Sequence, residues 1–150
     1  MAEITWGKPK IEVAKLVNGE IPSTPNTWVE LDTPKEGTTK LTTEKGEKKE
    51  AKIEGGEVID TKVGKNKYTL EFELYLKRGF TRKIPDVDGV VTDHYAIRIT
   101  PEDETLKGYL IEKCSVSVEE NWGSDEGGTL KYTFEVLKPK TGNMVKPYTA

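Results

Sequence analysis

The chain has 150 residues, of which 34% are hydrophobic and 33% are charged, and its 26 acidic and 23 basic side chains give a net charge of -3. This length suits one domain, residues 1–150, that buries roughly 68–70% of the surface its unfolded chain would expose. The near balance of charge argues against a protein that binds nucleic acid by neutralising phosphates, and the single cysteine excludes a disulfide within the chain.

The first residues lack the basic segment and apolar stretch of a signal peptide, and no apolar run approaches the ~18 residues of a membrane span. We therefore expect a protein that is made and assembled in the cytoplasm and has no membrane partner.

Two short strands are predicted at the start of the chain. In residues 9–17, Ile11 and Val13 alternate with Glu12, which predicts a strand, and Asn18-Gly19 predicts a tight turn after it. A proline-containing loop separates this turn from a second predicted strand at residues 27–31.

Residues 35–66 are rich in Lys, Glu, Thr and Gly and poor in apolar side chains. Such a composition is compatible with permanent disorder, but a structureless loop of this length inside one domain would be unusual. We favour a long polar hairpin or arm near residues 38–62 that orders against a neighbouring subunit. The candidate inter-subunit residues of this arm are Leu41, Lys45, Glu47, Lys49 and Ile53.

The most regular alternation in the chain follows this segment. The odd-numbered positions of the run 68–77 carry Thr69, Glu71, Glu73, Tyr75 and Lys77. The even-numbered positions carry Tyr68, Leu70, Phe72, Leu74 and Leu76. Successive side chains of a strand point to opposite faces, so the run predicts a half-buried strand of an antiparallel sheet.

A strand at residues 95–99 precedes the best helix signal of the chain. Thr100 suits an N-cap, Pro101 the first helical position and the acidic residues 102–104 the positive end of a helix, and Gly108 can end it. The sequence therefore predicts one short helix at residues 101–107.

Two more strands are predicted after this helix, at residues 110–119 and 129–136, separated by a turn-rich loop at 121–128 and followed by an irregular tail from Lys138. In the first of them Leu110, Cys114, Val116 and Val118 tend to one face. With about seven to eight strands and one short helix, the chain is expected to be all-β and mainly antiparallel, as a β-sandwich or barrel.

Residues suited to catalysis are sparse. His94 is the only histidine, which excludes a two-histidine zinc site, and we interpret it as structural. The segment Asp86-Val87-Asp88-Gly89 lacks the ligand spacing of a calcium loop and predicts a turn. Cys114 lies in strand alternation and is expected to be buried. We therefore expect no enzyme activity, and no catalytic, cofactor-binding or metal-binding residues and no small-molecule substrate.

The second half of the chain resembles a known family. The stretches GYLIEKCSVSV at 108–118 and LKYTFEVLKPKTG at 130–142 flank a Gly- and Ser-rich turn. Before them come a charged arm, a Gly-Gly break and the strand YTLEFE at 68–73. Over about residues 38–142 this arrangement resembles the tail tube (major tail) proteins of long-tailed phages and prophages.

The resemblance implies a β-sandwich or barrel with a flanking helix that assembles into hexameric rings. The rings would stack into a tube through which DNA passes without specific binding, an architecture shared with the tube protein of type VI secretion. The implied partners are further copies of the chain and other tail proteins. The implied location is the virion tail, after assembly in the cytoplasm of the host bacterium, and the family has no catalytic residues to transfer.

Two features of the sequence each allow two interpretations. Glu71 and Glu73 are candidates to line an acidic lumen in which DNA slides, or they keep an exposed sheet soluble. The alternative function is a monomeric β-sandwich binding module for carbohydrate or protein, with Trp122 or Trp28 as the contact residue. Trp6, Trp28 and Trp122 could stack on sugars, but scattered tryptophans are more often core or interface anchors.

Overall fold

A computed structural model describes residues 7–22, 27–125, 127–139 and 142–148, and the regular elements in these ranges are all β-strands. The strands are β1 (Lys10–Lys15), β2 (Val29–Glu30), β3 (Lys40–Glu44), β4 (Lys48–Lys52), β5 (Val58–Val63), β6 (Lys67–Tyr75), β7 (Tyr95–Thr100), β8 (Gly108–Gly123), β9 (Gly127–Val136) and β10 (Lys146–Tyr148). Trp6 lies outside the described residues.

Eight of these strands form one antiparallel sheet. Seven follow the order β2-β1-β7-β8-β9-β6-β3, and β10 pairs with the start of β8. The remaining two, β4 and β5, form a separate two-stranded sheet. The expectation of an all-β, mainly antiparallel fold is confirmed, and the large sheet is open, with edges at β2 and β3.

The large sheet is strongly curved. Ile99 of β7, Leu70 of β6 and Leu41 of β3 line one cavity of about 290 Å³. In a flat sheet β7 and β3 would be separated by roughly 19 Å, four strand spacings of ~4.8 Å. The sheet therefore curls until these strands face each other across a seam that it does not close.

The curvature encloses a single large core. It contains Ile11 and Val13 of β1, Phe72 of β6, and Tyr132 and Phe134 of β9. The three aromatic rings pack together with centroid separations of 5.5–6.4 Å, a spacing that favours aromatic pairs. The remaining buried members of this core are Leu31, Leu70, Leu74, Ile84, Tyr95, Ile97, Ile111, Cys114, Val116, Val118 and Leu130.

Strand β6 follows the predicted alternation. Leu70, Phe72 and Leu74 are buried, and Glu71 and Glu73 between them are half-buried on the opposite face. We call the face opposite the core the outer face of the sheet. The antiparallel partners of β6 on its two sides are β9 and β3.

The alternation predicted for β8 is wrong at its start because the strand contains a β-bulge. Tyr95 and Ile97 of β7 pair with Cys114 and Ile111, so two steps along β7 face three along β8. The extra residue shifts the phase of the side chains. Ile111 is therefore buried, while Leu110 is only half-buried and lies opposite Arg98.

The short helix predicted at residues 101–107 is not formed. Thr100, its expected N-cap, is the buried last residue of β7 and pairs with Lys10. Asp103 instead accepts hydrogen bonds at Oδ1 from the backbone N–H and the hydroxyl of Thr105, at 3.0 and 2.6 Å. These bonds also lower the pKa of Asp103. Such a local side-chain turn competes with a helix, and it connects β7 to β8 directly.

The turn-rich loop predicted at residues 121–128 is mostly strand. Strands β8 and β9 stay paired up to Gly123 and Gly127, so the loop is reduced to the tip of a long hairpin. The tail expected to be irregular carries β10, which extends the line of β9 along β8.

Candidate assembly surface

The residues with catalytic potential are separated from one another in the structure. His94 is exposed and uses its backbone carbonyl to accept a hydrogen bond from Leu16 N–H. Cys114 is fully buried, its Sγ lies 2.9 Å from the Tyr95 carbonyl oxygen, and burial raises the pKa of the thiol well above its usual range. Within the described ranges, no three His, Cys, Asp or Glu side chains group to hold a metal ion.

The segment that contains Asp86 is a tight turn, as predicted. Val87 and Val90 exchange backbone hydrogen bonds, and Asp88 and Gly89 between them have positive φ of 50° and 84°, as in hairpin turns of type I′. The Asp86 carboxylate accepts hydrogen bonds from Gly89 N–H and from the Arg82 guanidinium. Its oxygens therefore stabilise the turn.

The cavity of about 290 Å³ between β7 and β3, which we call the seam cavity, has no acid–base pair among its lining residues. Its lining consists of Gly7, Pro9, Thr39, Lys40, Leu41, Leu70, Ile99, Pro101, Lys107, Gly108 and Tyr109. Among these residues the titratable side chains are two lysines and a tyrosine, and Lys40 lies 3.4 Å from the Glu71 carboxylate. The cavity is an apolar opening to the core with cationic groups in its lining.

The polar segment near residues 38–62 divides into two parts. Its first part is β3, which belongs to the large sheet, and Leu41 there packs against the main core. Its second part is the hairpin of β4 and β5, residues 48–63, which we call the arm. Of the candidate residues, Lys49 lies in β4, Ile53 begins the tip, and Lys45 and Glu47 precede the arm.

Every residue of β4 and β5 is exposed, so within the described chain the arm is not packed against the core. Its exposed apolar side chains are Ile53, Val58, Ile59 and Val63, with exposed fractions of 46–64%. The concentration of exposed apolar side chains on one hairpin makes the arm a candidate contact surface. The tip is closed by Ile53 N–H donating to the Glu57 carbonyl and by Gly56 N–H donating to the Ile53 carbonyl.

The arm joins the rest of the described chain, which we call the body, through a narrow neck. Gly64 N–H donates to the Glu47 carbonyl at 2.7 Å, and Gly46 N–H donates to Oδ1 of Asn66 at 3.0 Å. A Cβ atom on Gly46 would overlap the carbonyl oxygen of Gly64. The two chain segments of the neck therefore approach so closely that only glycine fits at position 46.

The outer face of β6 carries the two candidate lumen residues. Glu71 lies between Lys40 of β3 and Lys131 of β9, each 3.4 Å from one of its oxygens. Burial alone would raise the pKa of Glu71, but the hydrogen bonds and charges of the two lysines outweigh it and lower the pKa. The register places Glu73 next along this face, opposite Lys131.

The two described tryptophans have different surroundings. Trp122 lies near the tip of the β8–β9 hairpin and is 77% exposed. Trp28 packs against a small apolar cluster around Ala14 and Ala96, and the Arg98 guanidinium lies 4.3 Å from the centre of its ring. Trp28 is therefore a structural residue, and Trp122 is the tryptophan that a ligand could reach.

Sequence reasoning missed the cluster around Arg98. This guanidinium forms two 3.0 Å hydrogen bonds with the carboxylate of Glu12 and lies between the rings of Trp28 and Tyr148. Glu12 and Arg98 are 86 positions apart, so no local pattern indicates the contact. The cluster attaches β10 and the segment before β2 to the outer face of β1 and β7.

No model of a known protein family matches the chain, and no curated protein matches it. The described part of the chain contains no helix with the length and apolar character that crossing a membrane requires.

Proposed function

We propose that the chain is a structural subunit that assembles with copies of itself through the arm. The observation that carries the proposal is the arm itself: a two-stranded hairpin, exposed along its whole length, that bears four exposed apolar side chains. A two-stranded hairpin is marginally stable in water by itself. Packing against another copy would bury its apolar side chains and offset the cost of ordering it.

The open edges of the sheet support the same proposal. Strands β2 and β3 are edges of the large sheet, and β4 and β5 each have one unpaired side. Unpaired strand edges template pairing with other chains unless they are covered. Head-to-tail contacts that close give rings, and rings that stack along their axis give filaments.

The assembly proposed for these subunits is a tube of stacked, hexameric rings that forms the tail of a long-tailed phage or prophage. This part rests on the resemblance of residues 38–142 to tail tube proteins, and it includes passage of DNA without specific binding. The absence of an acid–base pair in the seam cavity is compatible with a structural role.

The lumen of such a tube is proposed to be the outer face of β6, β8 and β9. Besides Glu71 and Glu73, the register places Glu119 and Glu135 on this face, with Lys131 between them. Carboxylates thus outnumber lysines along its middle, although Lys40 and Lys131 partly neutralise Glu71. A net acidic wall would repel phosphates and let DNA slide.

The assembly role of the arm is tested by replacing residues 48–63 with Asn-Gly. Glu47 and Gly64 already share a backbone hydrogen bond, so a two-residue turn can connect them. We expect this variant to keep the fold of the body and to stay a single small species in sedimentation velocity at concentrations where the full chain assembles. The matched control is Trp122→Ser, which removes an exposed apolar side chain elsewhere and should assemble normally. Equal assembly of the arm-deleted and full chains would contradict the role of the arm.

A second candidate function is a monomeric module that binds carbohydrate or protein, and the exposure of Trp122 favours it. A ring that is 77% exposed is available to stack on a sugar or to anchor a partner. This function predicts a monomer at every concentration, a shift of tryptophan emission when soluble oligosaccharides are added, and loss of that shift in Trp122→Ser.

A further inference from the structure

The sequence of β5 is self-complementary about Thr61, the fourth of its six residues. Counting from Thr61 in both directions, the strand carries Asp60 and Lys62 and then Ile59 and Val63. An antiparallel copy centred on Thr61 would place Asp60 opposite Lys62 and Ile59 opposite Val63, twice each by symmetry. Opposite charges and apolar pairs across strands stabilise a sheet.

The backbone of β5 is oriented for this pairing. Glu47 and Gly64 form a hydrogen-bonded pair, and hydrogen-bonded and non-hydrogen-bonded pairs alternate along an antiparallel ladder. Glu50 and Thr61, three pairs further on, are therefore a non-hydrogen-bonded pair. The N–H of Thr61 points away from β4, and it donates to its own neighbour, Oδ1 of Asp60, at 2.9 Å. The outward C=O of Thr61 is not used by the ladder with β4, and a strand that adds at this edge would replace Oδ1 of Asp60 as the acceptor of the Thr61 N–H.

The charges select one register. The outward backbone groups of β5 occur at every second residue, and in a two-fold pairing those of one copy must face those of the other. The two-fold axis must therefore pass through a residue, which in the middle of the strand is residue 60, 61 or 62. Centring on Asp60 would oppose two aspartates, and centring on Lys62 would oppose two lysines, both of which destabilise a sheet. Centring on Thr61 avoids both and places two threonines opposite each other.

The arm itself leaves both charges without an opposite charge across the hairpin. Lys62 faces Lys49, a like-charged pair, and Asp60 faces Ala51. Both residues are exposed. A second copy of β5 would bring a carboxylate beside Lys62 and an ammonium beside Asp60, which relieves the repulsion between the two lysines.

We propose that two copies of the chain pair through the free edges of β5, antiparallel and with a two-fold axis at Thr61, so that their arms form one four-stranded sheet. The contact buries part of Ile59 and Val63, which are 64% and 56% exposed in the single chain. The occupant of this edge is a second copy because the complementarity is that of β5 with itself.

This pairing goes beyond the assembly proposed above and does not depend on it. A two-fold contact uses the same surface on both copies and closes at a dimer, whereas rings and tubes need head-to-tail contacts. The arm-paired dimer is thus a distinct state of the free subunit, in which the apolar side chains near the edge are covered.

The test is a charge swap measured by sedimentation velocity over a concentration series, which separates a dimer from larger assemblies. In the proposed dimer, Asp60→Lys alone would place a lysine opposite Lys62 at both symmetry-related positions. Lys62→Asp alone would likewise place an aspartate opposite Asp60 at both positions. Each is expected to raise the dimer dissociation constant on the order of tenfold or more, since two cross-strand pairs change at once. The double variant has the composition and net charge of the unmodified chain and should restore the dimer. A monomer that never dimerises, or a dimer that the single variants leave unchanged, overturns the proposal.

A cross-linking experiment fixes the register. Opposite residues of an antiparallel hydrogen-bonded pair have Cα atoms ~5.5 Å apart, within the range of a disulfide. Thr61→Cys is therefore expected to form a disulfide-linked dimer on mild oxidation. Lys62→Cys, whose copies would be diagonal rather than opposite, is the matched control and should not. The native Cys114 is buried and does not interfere. Equal cross-linking of both variants would contradict a two-fold axis at Thr61.

Discussion

At the scale of single residues, Arg98 connects parts of the fold that are far apart in sequence. Its planar guanidinium binds the Glu12 carboxylate with two hydrogen bonds and stacks between Trp28 and Tyr148. Lysine can provide the charge but neither the fork of donors nor the flat surface. The geometry therefore requires arginine at this position.

We expect Arg98→Lys to lower the free energy of unfolding by about 1–2 kcal/mol, through loss of the bidentate contact and weaker cation–π contacts. Urea titration followed by tryptophan emission measures this change. Arg82→Lys is the control, because Arg82 likewise contacts carboxylates through two nitrogens, those of Asp86 and Glu120, but its side chain is 38% exposed, against 21% for Arg98. Exposed ion pairs contribute at most about 1 kcal/mol. Equal losses in both variants would show that stacking and burial at Arg98 add nothing.

Cys114 makes the stability of the fold sensitive to alkaline pH. Burial raises the pKa of its thiol in the folded chain, so its contribution is fully present below the unfolded pKa of ~8.5 and is lost as pH rises above that value. We expect the thiol to be inert to DTNB in the native chain and to react at once in urea. Between pH 8 and 10 the urea midpoint should fall, and it should fall less in Cys114→Val. Rapid reaction of the native chain would contradict the burial.

At the scale of the elements, regular alternation of apolar and polar residues predicts a strand correctly where one face of that strand is buried along its whole length. The run around Leu70, Phe72 and Leu74 predicts β6 because a one-residue slip would expose all its apolar side chains. The bulge in β8 is set by pairing with β7, and no local signal in residues 110–114 indicates it. The predicted helix at 101–107 had acceptable capping residues, but the turn at Asp103 and the pairing of Thr100 outweighed them.

Two glycines of β8 test how closely this sheet packs at its turns. A Cβ on Gly108 would overlap the carbonyl oxygen of Ile99, whereas a Cβ on Gly123 meets no atom within 4 Å. We expect Gly108→Ala to destabilise the fold by about 2 kcal/mol or more, because the backbones of β7 and β8 must separate. Gly123→Ala should change stability by at most about 0.5 kcal/mol. Thermal unfolding compares the two, and similar melting temperatures would refute the close approach.

At the scale of the whole molecule, the body is stabilised by a buried core, whereas the arm buries none of its residues within the described chain. The body is a curled sheet around one core, and the arm is an exposed hairpin that leaves the body through a glycine neck. Composition indicated the arm correctly as a hairpin, but it included Leu41, which belongs to the body because β3 pairs with β6. The self-complementarity of β5 becomes visible only when the structure shows which of its edges is free.

The proposed function is self-assembly. The observations that support this proposal are the exposed arm and the open sheet edges, together with the resemblance to tail tube proteins.

The most direct test of this account is negative-stain electron microscopy of the full chain over a concentration series, together with the chain in which Asn-Gly replaces residues 48–63. We expect the full chain to form rings or stacked tubes of uniform diameter, and the arm-deleted chain to stay as small particles under the same conditions. Small particles of the full chain at every concentration and salt would contradict self-assembly as the function.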